Sequence, residues 1–182
     1  MKPLTEAIFG KLSEAASGQG ELYAVLDAAR DARIYSSTRG LAGARCLYEG
    51  EIPQPLAETA PYLVQLERGT AFTEWLLTDG WGQSWGVFLS TRASPDEVRR
   101  HLRHFLKVKD DAGRSLYFRY YDPRVLRVYL PTCNEEELKL LFGPVERFWC
   151  ETEDGRSILE YQRKGPTLKR RALELPSPAE RC

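Results

Sequence analysis

The chain has 182 residues, of which 26 are lysine or arginine and 26 are aspartate or glutamate. This balance excludes a global electrostatic attraction to nucleic acid or to a membrane surface, so any basic surface must be local. An apolar fraction of 42% excludes a disordered chain, and the length suits one domain with a sizeable core, or one domain plus a short appendage.

The N-terminal segment MKPLTEAIFGKLSEAASGQG does not resemble a secretory signal, because Glu6, Lys11 and Glu14 interrupt any apolar core. No apolar run approaches the roughly 18 residues that a membrane span needs. The four cysteines lie far apart, without the paired spacing of a zinc site, and are typical of thiols in a reducing compartment. We therefore expect a cytoplasmic protein without a membrane span.

Helical and strand patterns alternate along the chain. Helix starts are indicated by cap signals at Thr70, at Ser94 with Glu97, and at Asn134 with Glu137. A further cap at Asp122, followed by proline, predicts a short helix before Pro131. The remaining predicted elements are a helix over 3–16, a helix over 70–77, and strands over 21–27, 44–48, 61–66, 84–90 and 115–122.

The C-terminal third predicts a hairpin followed by a tail. The segment VERFWCETEDGRSILEYQRK indicates two strands around an Asp154-Gly155 turn, and from Gly165 the chain is rich in proline and lacks periodicity. The alternation predicts an α/β fold, a single domain with a mixed sheet, a closing β-hairpin and a flexible C-terminal tail. The predicted organisation is an N-terminal helix and linker over 1–20, the domain over 21–164 and the tail over 165–182.

The chemical motifs do not favour an enzyme. The glycine-rich DGWGQSWG follows a helix and precedes a strand, which is the reverse of a Rossmann phosphate loop. His101 and His104 lie among basic residues on one helix, which disfavours a metal. Asp27 and Asp122 end strands, where catalytic carboxylates often lie, but both are also good helix caps, and we favour the caps. The sequence thus predicts no catalytic residue, metal or cofactor, with a small enzyme using Asp27 or Asp122 as the alternative.

The segment LYFRYYDPRVLRVYLPTC, residues 116–133, is rich in tyrosine and arginine. Strand alternation predicts that Leu116, Phe118 and Tyr120 face the core, with the intervening side chains more exposed. Tryptophan, tyrosine and arginine are enriched at protein-interface hot spots. The predicted partner-binding residues are Trp81, Trp85, Tyr117, Arg119, Tyr121, Arg124 and Arg127.

The same residue types could stack nucleic-acid bases, which gives a second alternative. A single-strand channel normally needs wider positive charge than this neutral chain offers, and the RNP1 pattern of RNA-recognition domains is absent. Binding to another protein is therefore favoured over binding to nucleic acid.

Six segments, in order from about residue 21 to residue 163, resemble one family. They are LYAVLDAARD, APYLVQL, FTEWLLTDGWGQSWGVFL, HLRHFLKV, LYFRYYDPRVLRVYLPTC and FGPV. The chain is similar to the domain of type VI secretion adaptor and chaperone proteins, which are encoded beside VgrG spike proteins and toxic effectors and were long catalogued as a domain of unknown function. The resemblance implies a cytoplasmic, non-enzymatic adaptor whose partners are a cognate secreted effector and a VgrG spike protein.

Overall fold

The computed structural model describes residues 3–16, 20–109 and 112–176. Seven helices and nine strands lie in this part of the chain. The helices are α1 (Pro3–Ala15), α2 (Ala32–Thr38), α3 (Gln54–Ala57), α4 (Ala71–Trp75), α5 (Pro95–Arg103), α6 (Pro123–Tyr129) and α7 (Glu135–Phe142). The strands are β1 (Glu21–Asp27), β2 (Arg45–Cys46), β3 (Pro61–Gln65), β4 (Gly86–Thr91), β5 (Lys107–Lys109), β6 (Ser115–Tyr117), β7 (Val145–Glu151), β8 (Ser157–Lys164) and β9 (Thr167–Glu174).

Seven of the strands form one sheet in the order β2-β3-β1-β4-β7-β8-β9, while β5 and β6 form a separate two-stranded hairpin. Every strand pair in the described part of the chain is antiparallel. The predicted α/β single domain is confirmed. The prediction of a mixed sheet, with parallel and antiparallel strands, is wrong, because the observed pairs are antiparallel. Turns and helices return the chain to neighbouring antiparallel strands without a parallel crossover.

Helices cover both faces of the sheet. One core packs α5, α6 and α7 against side chains such as Val25, Val87 and Phe148. The other packs α1 and α2 against Leu26, Phe88 and their neighbours. Because β1 and β4 are covered on both faces, they read as continuous apolar runs rather than as alternating patterns.

The helix starts follow the predicted cap residues. The side chains of Ser94 and Asn134 accept hydrogen bonds from the backbone three residues later, and the glutamates at those positions complete both capping boxes. The Thr70 hydroxyl and the Asp122 carboxylate cap α4 and α6. These local signals are confirmed.

Two segments differ from the sequence predictions. The strand predicted over 115–122 is paired only over 115–117, in the hairpin outside the main sheet. The tail predicted over 165–182 is wrong for 167–174, which form the edge strand β9 along the whole of β8. Residues 17–19 of the predicted linker and residues 177–182 of the predicted tail lie outside the described residues. None of the described helices has the length and apolarity needed to cross a membrane.

Candidate protein-interaction surface

A buried carboxylate ends the central strand β1. Asp27 is 1% exposed, and its Oδ1 accepts a hydrogen bond from the backbone N–H of Ala29 at 3.1 Å. The guanidinium of Arg119 pairs with its Oδ2. Asp27 caps no helix, because the N-cap of α2 is Asp31, so the predicted cap role is wrong for this residue. The carboxylate instead stabilises the turn after β1, through the N–H of Ala29, and holds the segment that carries Arg119.

A second buried carboxylate lies at the start of α6. Asp122 Oδ1 accepts from the backbone N–H of Arg124 at 3.0 Å, and the Arg124 guanidinium donates to both carboxylate oxygens. Burial opposes ionisation of Asp122, but the hydrogen bonds from Arg124 outweigh it and hold the pKa below its usual 3.8. Arg119 lies 4.0 Å from the same carboxylate. Two arginines and two aspartates thus form one network between β1 and α6.

The predicted arginines occupy different environments. The side chains of Arg119 and Arg124 are 40% and 51% exposed, so each offers part of its guanidinium to solvent while the rest is paired. Arg127 is half-buried and donates from Nη1 to the backbone carbonyl of Glu151 at 2.8 Å, which joins α6 to the end of β7. Arg119 and Arg124 therefore remain on a surface, and Arg127 also has a structural role.

Tyr121 does not lie on the predicted exposed row. Its side chain is buried beside Tyr120, with ring centroids 5.5 Å apart at an interplanar angle of 80°. Burial raises the pKa of the Tyr121 phenol. The chain leaves the extended conformation after β6 and turns at Arg119, whose carbonyl accepts from the N–H of Asp122 at 2.9 Å. Consecutive side chains, Tyr120 and Tyr121, are therefore both buried.

The two tryptophans in the predicted site, Trp81 and Trp85, pack or bond so that they stabilise the glycine-rich loop. Trp85 is buried against Trp75, with ring centroids 5.3 Å apart, so the prediction that places Trp85 on the binding surface is wrong. Trp81 is half-buried and donates from its indole N–H to the carbonyl of Gly155 at 2.8 Å. Both side chains hold the loop against the body of the protein.

Glu151 also stabilises this loop, through hydrogen bonds to its backbone. Its carboxylate accepts from the backbone N–H groups of Gly82 and Ser84, at 2.5 and 2.7 Å. Burial raises the pKa of Glu151 above its usual value, although these two hydrogen bonds favour the charged form. A glycine at position 82 suits the turn because its φ is +83°, a conformation that L side chains rarely adopt. Glu151 therefore holds the loop in place, and no local sequence pattern predicts this role, because Glu151 is 67 positions from Ser84.

Four of the six exposed large apolar side chains in the described part of the chain lie in or beside the β5–β6 hairpin. Tyr117 is 60% exposed, and Val108, Leu116 and Leu56 are also exposed. The prediction that Leu116 faces the core is wrong, because its strand lies outside the main sheet. The hairpin could have been found from its sequence, since the alternating segments KVK and SLY flank the turn-forming DDAG.

A groove of about 350 Å³ lies beside this hairpin, and we call it the hairpin groove. Its apolar lining is Leu47, Tyr48, Ile52, Leu56, Leu106 and Tyr117, and its polar lining is Glu49, Arg103 and Lys107. A neighbouring depression of about 380 Å³ shares Glu49 and Arg103 and adds Arg100 and His104. The surface thus combines an apolar floor with a basic side, although the whole chain has no net charge.

Among the described residues, no group of three or more histidine, cysteine, aspartate or glutamate side chains is placed to hold a metal ion. The two histidines are engaged separately. His101 Nε2 lies 2.9 Å from the carbonyl of Leu141, and His104 Nδ1 lies 2.7 Å from the carbonyl of Arg100. His101 is half-buried and joins α5 to α7, while His104 is exposed.

Comparison with known families gives one assignment. The family described as "Domain of unknown function (DUF4123)" matches residues 22–140, well over half of the chain. The chain belongs to this family. No curated protein and no solved structure matches it. The family match ends inside α7, so β7, β8 and β9 complete the sheet with residues beyond the matched region.

Proposed function

We propose that this protein is a non-enzymatic adaptor of type VI secretion, which binds a cognate effector in the bacterial cytoplasm and promotes its loading onto a VgrG spike protein. Membership of the DUF4123 family carries this proposal, because that family is known for effector chaperones and adaptors. The six ordered segments that resemble such adaptors support it further.

The exposed surface has the composition that such a role needs. Tyr117, Arg119 and Arg124 lie at the solvent-facing side of the segment between β6 and α6. The hairpin groove adjoins Tyr117 and offers an apolar floor. Interfaces that bind specifically combine apolar or aromatic anchors with a polar rim, and tyrosine and arginine are frequent anchors.

The absence of catalysis is part of the proposal and rests on the engagement of the two carboxylates. Asp27 and Asp122 are both buried and each is paired with an arginine, which favours a structural role for these carboxylates. A general base must instead reach its substrate proton directly or through one water. Replacing each aspartate by asparagine should therefore alter stability and leave adaptor function in place.

Purification with the products of the adjacent genes tests the proposal. We expect the chain to form a stable complex with the neighbouring effector or VgrG protein in size-exclusion chromatography, and its deletion to abolish secretion of that effector. A chain that binds neither protein, in a strain that secretes the effector normally without it, would refute the adaptor function.

A further inference from the structure

The hairpin groove has a lining that selects for one kind of occupant. The buried side chains of Leu47 and Leu106 line it, and Ile52 and Leu56 add further aliphatic surface. Tyr117 borders the opening, with its ring centroid 6.3 Å from that of Tyr48. A floor of this kind accepts a bulky apolar side chain, since burial of apolar surface is the main favourable contribution to such contacts.

Positive charge surrounds the opening. Arg103 pairs with Glu49, the one acidic side chain that lines the groove and its neighbour. The Lys107 ammonium lies over the Tyr117 ring, 5.5 Å from the centroid. Arg100 is exposed, and it interacts electrostatically with Glu97 on the same helix, a carboxylate that lines neither depression. Three cations, Arg100, Arg103 and Lys107, against one carboxylate leave a net positive charge along the combined lining of the two depressions.

From these observations we infer that the hairpin groove binds a segment of the effector. In this segment a bulky apolar side chain lies beside two or more carboxylates. The apolar side chain enters the floor between Leu56 and Leu106, and the carboxylates lie against Arg100 and Lys107. This deepens the adaptor function and depends on it only for the identity of the partner used in the test. Complementary charge also steers association and disfavours neutral or basic segments.

The geometry does not favour a nucleic acid in the same place. Base stacking needs an open aromatic face. Lys107 covers one face of Tyr117, and the ring of Tyr48 is tilted 57° against it, so the pair forms no flat platform. The remaining floor is aliphatic. The groove therefore fits a protein side chain better than a base.

Titration calorimetry of the purified chain with the adjacent effector tests the inference with matched variants. Leu56→Asp places a charge on the groove wall, and Leu140→Asp places the same charge on α7; the two leucines are 40% and 64% exposed. Arg100→Glu with Lys107→Glu reverses the groove charge, and Arg156→Glu with Arg163→Glu reverses the same number of charges near β8. We expect both groove variants to weaken effector binding by about 30-fold or more, and both controls by less than about 3-fold.

Tyr117→Ala provides a third groove variant that adds no charge and is expected to fold normally, because the side chain is largely exposed. Thermal melts of all variants verify folding. If the wild-type chain binds the effector and all folded groove variants bind equally well, the inference is wrong while the adaptor function stands. If the wild-type chain binds neither effector nor VgrG protein, the adaptor function itself fails.

Photocrosslinking identifies the occupant. With p-benzoylphenylalanine at position 56, mass spectrometry of the crosslinked effector should locate a segment containing an apolar residue flanked by aspartate or glutamate. A crosslink to a neutral or basic segment would overturn the proposed chemistry. A fluorescein-labelled single-stranded oligonucleotide is the competing probe: if it binds the chain and the groove variants abolish that binding, the occupant is a nucleic acid instead.

Discussion

Arg119 pairs with the buried carboxylate of Asp27, although 92 positions separate the two residues in the chain. Asp27 ends the central strand β1, and Arg119 lies between the β5–β6 hairpin and α6. The pair therefore attaches the segment that carries the hairpin to the middle of the sheet. Because the Arg119 side chain is still 40% exposed, one residue contributes both to the fold and to the surface.

We expect Arg119→Ala to destabilise the protein. The substitution leaves the Asp27 carboxylate buried with only one backbone donor, that of Ala29. Loss of a charged hydrogen bond at a half-exposed pair should lower the free energy of unfolding by about 2 kcal/mol. Urea denaturation of both proteins measures this difference.

Arg156→Ala is the matched control for Arg119→Ala. Its guanidinium is 74% exposed and lies 3.9 Å from Asp154 in the β7–β8 turn. An exposed pair of this kind contributes about 0–1 kcal/mol. Equal unfolding midpoints for the two alanine variants would show that the Asp27 pair does not stabilise the fold.

Asp122→Asn should reduce stability in a pH-dependent manner. The asparagine oxygen can still cap α6, but the ion pair with Arg124 is lost. Because the pKa of Asp122 is lowered in the folded protein, its charge stabilises the fold above 3.8, and this contribution is lost as pH falls through the folded pKa. We expect a deficit of about 1 kcal/mol near neutral pH that disappears toward pH of about 2.

Denaturant melts of wild type and Asp122→Asn across that pH range measure the deficit. Differencing the two proteins removes the contribution of every other titrating group they share. A deficit that stays constant from neutral to acidic pH would mean that the charge of Asp122 does not cause the loss of stability.

The stabilities of Tyr120→Ala and Tyr117→Ala should differ, because Tyr120 lies in the core and Tyr117 lies on the surface. Tyr120 is fully buried and donates from its hydroxyl to the carbonyl of Leu102 at 2.9 Å. Its truncation should cost about 3–5 kcal/mol, in the range for large buried aromatic side chains. Tyr117 is exposed, and its truncation should cost less than about 1 kcal/mol. Similar thermal midpoints for both variants would contradict this assignment.

A chain that ends at Lys164 should lose cooperative unfolding or be strongly destabilised. Removal of β9 leaves β8 as an unpaired edge and uncovers Ile158 and Leu159. Exposing these side chains should cost about 3 kcal/mol or more. A chain that ends at Pro176 keeps the whole of β9 and is the control. Identical melts for the two truncations would show that β9 adds nothing to stability.

The sequence predicted those parts of the fold whose causes are local. The capping boxes at Ser94 and Asn134 need only residues three positions apart, and the buried runs of β1 and β4 need only their own composition. The sequence pattern did not predict β9 as a strand. Most of its side chains are exposed, and its Lys169-Arg170-Arg171 run is as polar as a loop. Its strand conformation comes from pairing with β8, which composition does not encode.

The candidate surface was predicted only in part for a similar reason. Extrapolating a two-residue alternation to Asp122 placed Tyr121 outside and Leu116 inside. The strand that carries Leu116 ends at Tyr117 and lies outside the main sheet, which leaves Leu116 exposed, and the turn at Arg119 lets Tyr121 enter the core. The pairing of Arg119 with Asp27 depends on contacts between distant segments, so no local pattern could identify it.

The order of the sheet has a consequence for synthesis of the protein. β4 lies between β1 and β7, yet 54 positions separate its last residue, Thr91, from Val145 at the start of β7. At translation rates of about 5–20 residues per second, β7 is synthesised roughly 3–11 seconds after β4. During that interval the nascent chain presents an open, apolar strand edge containing Phe88 and Leu89. The region that the family match covers therefore ends before the sheet can close, and β7, β8 and β9 must be synthesised before its pairing is complete.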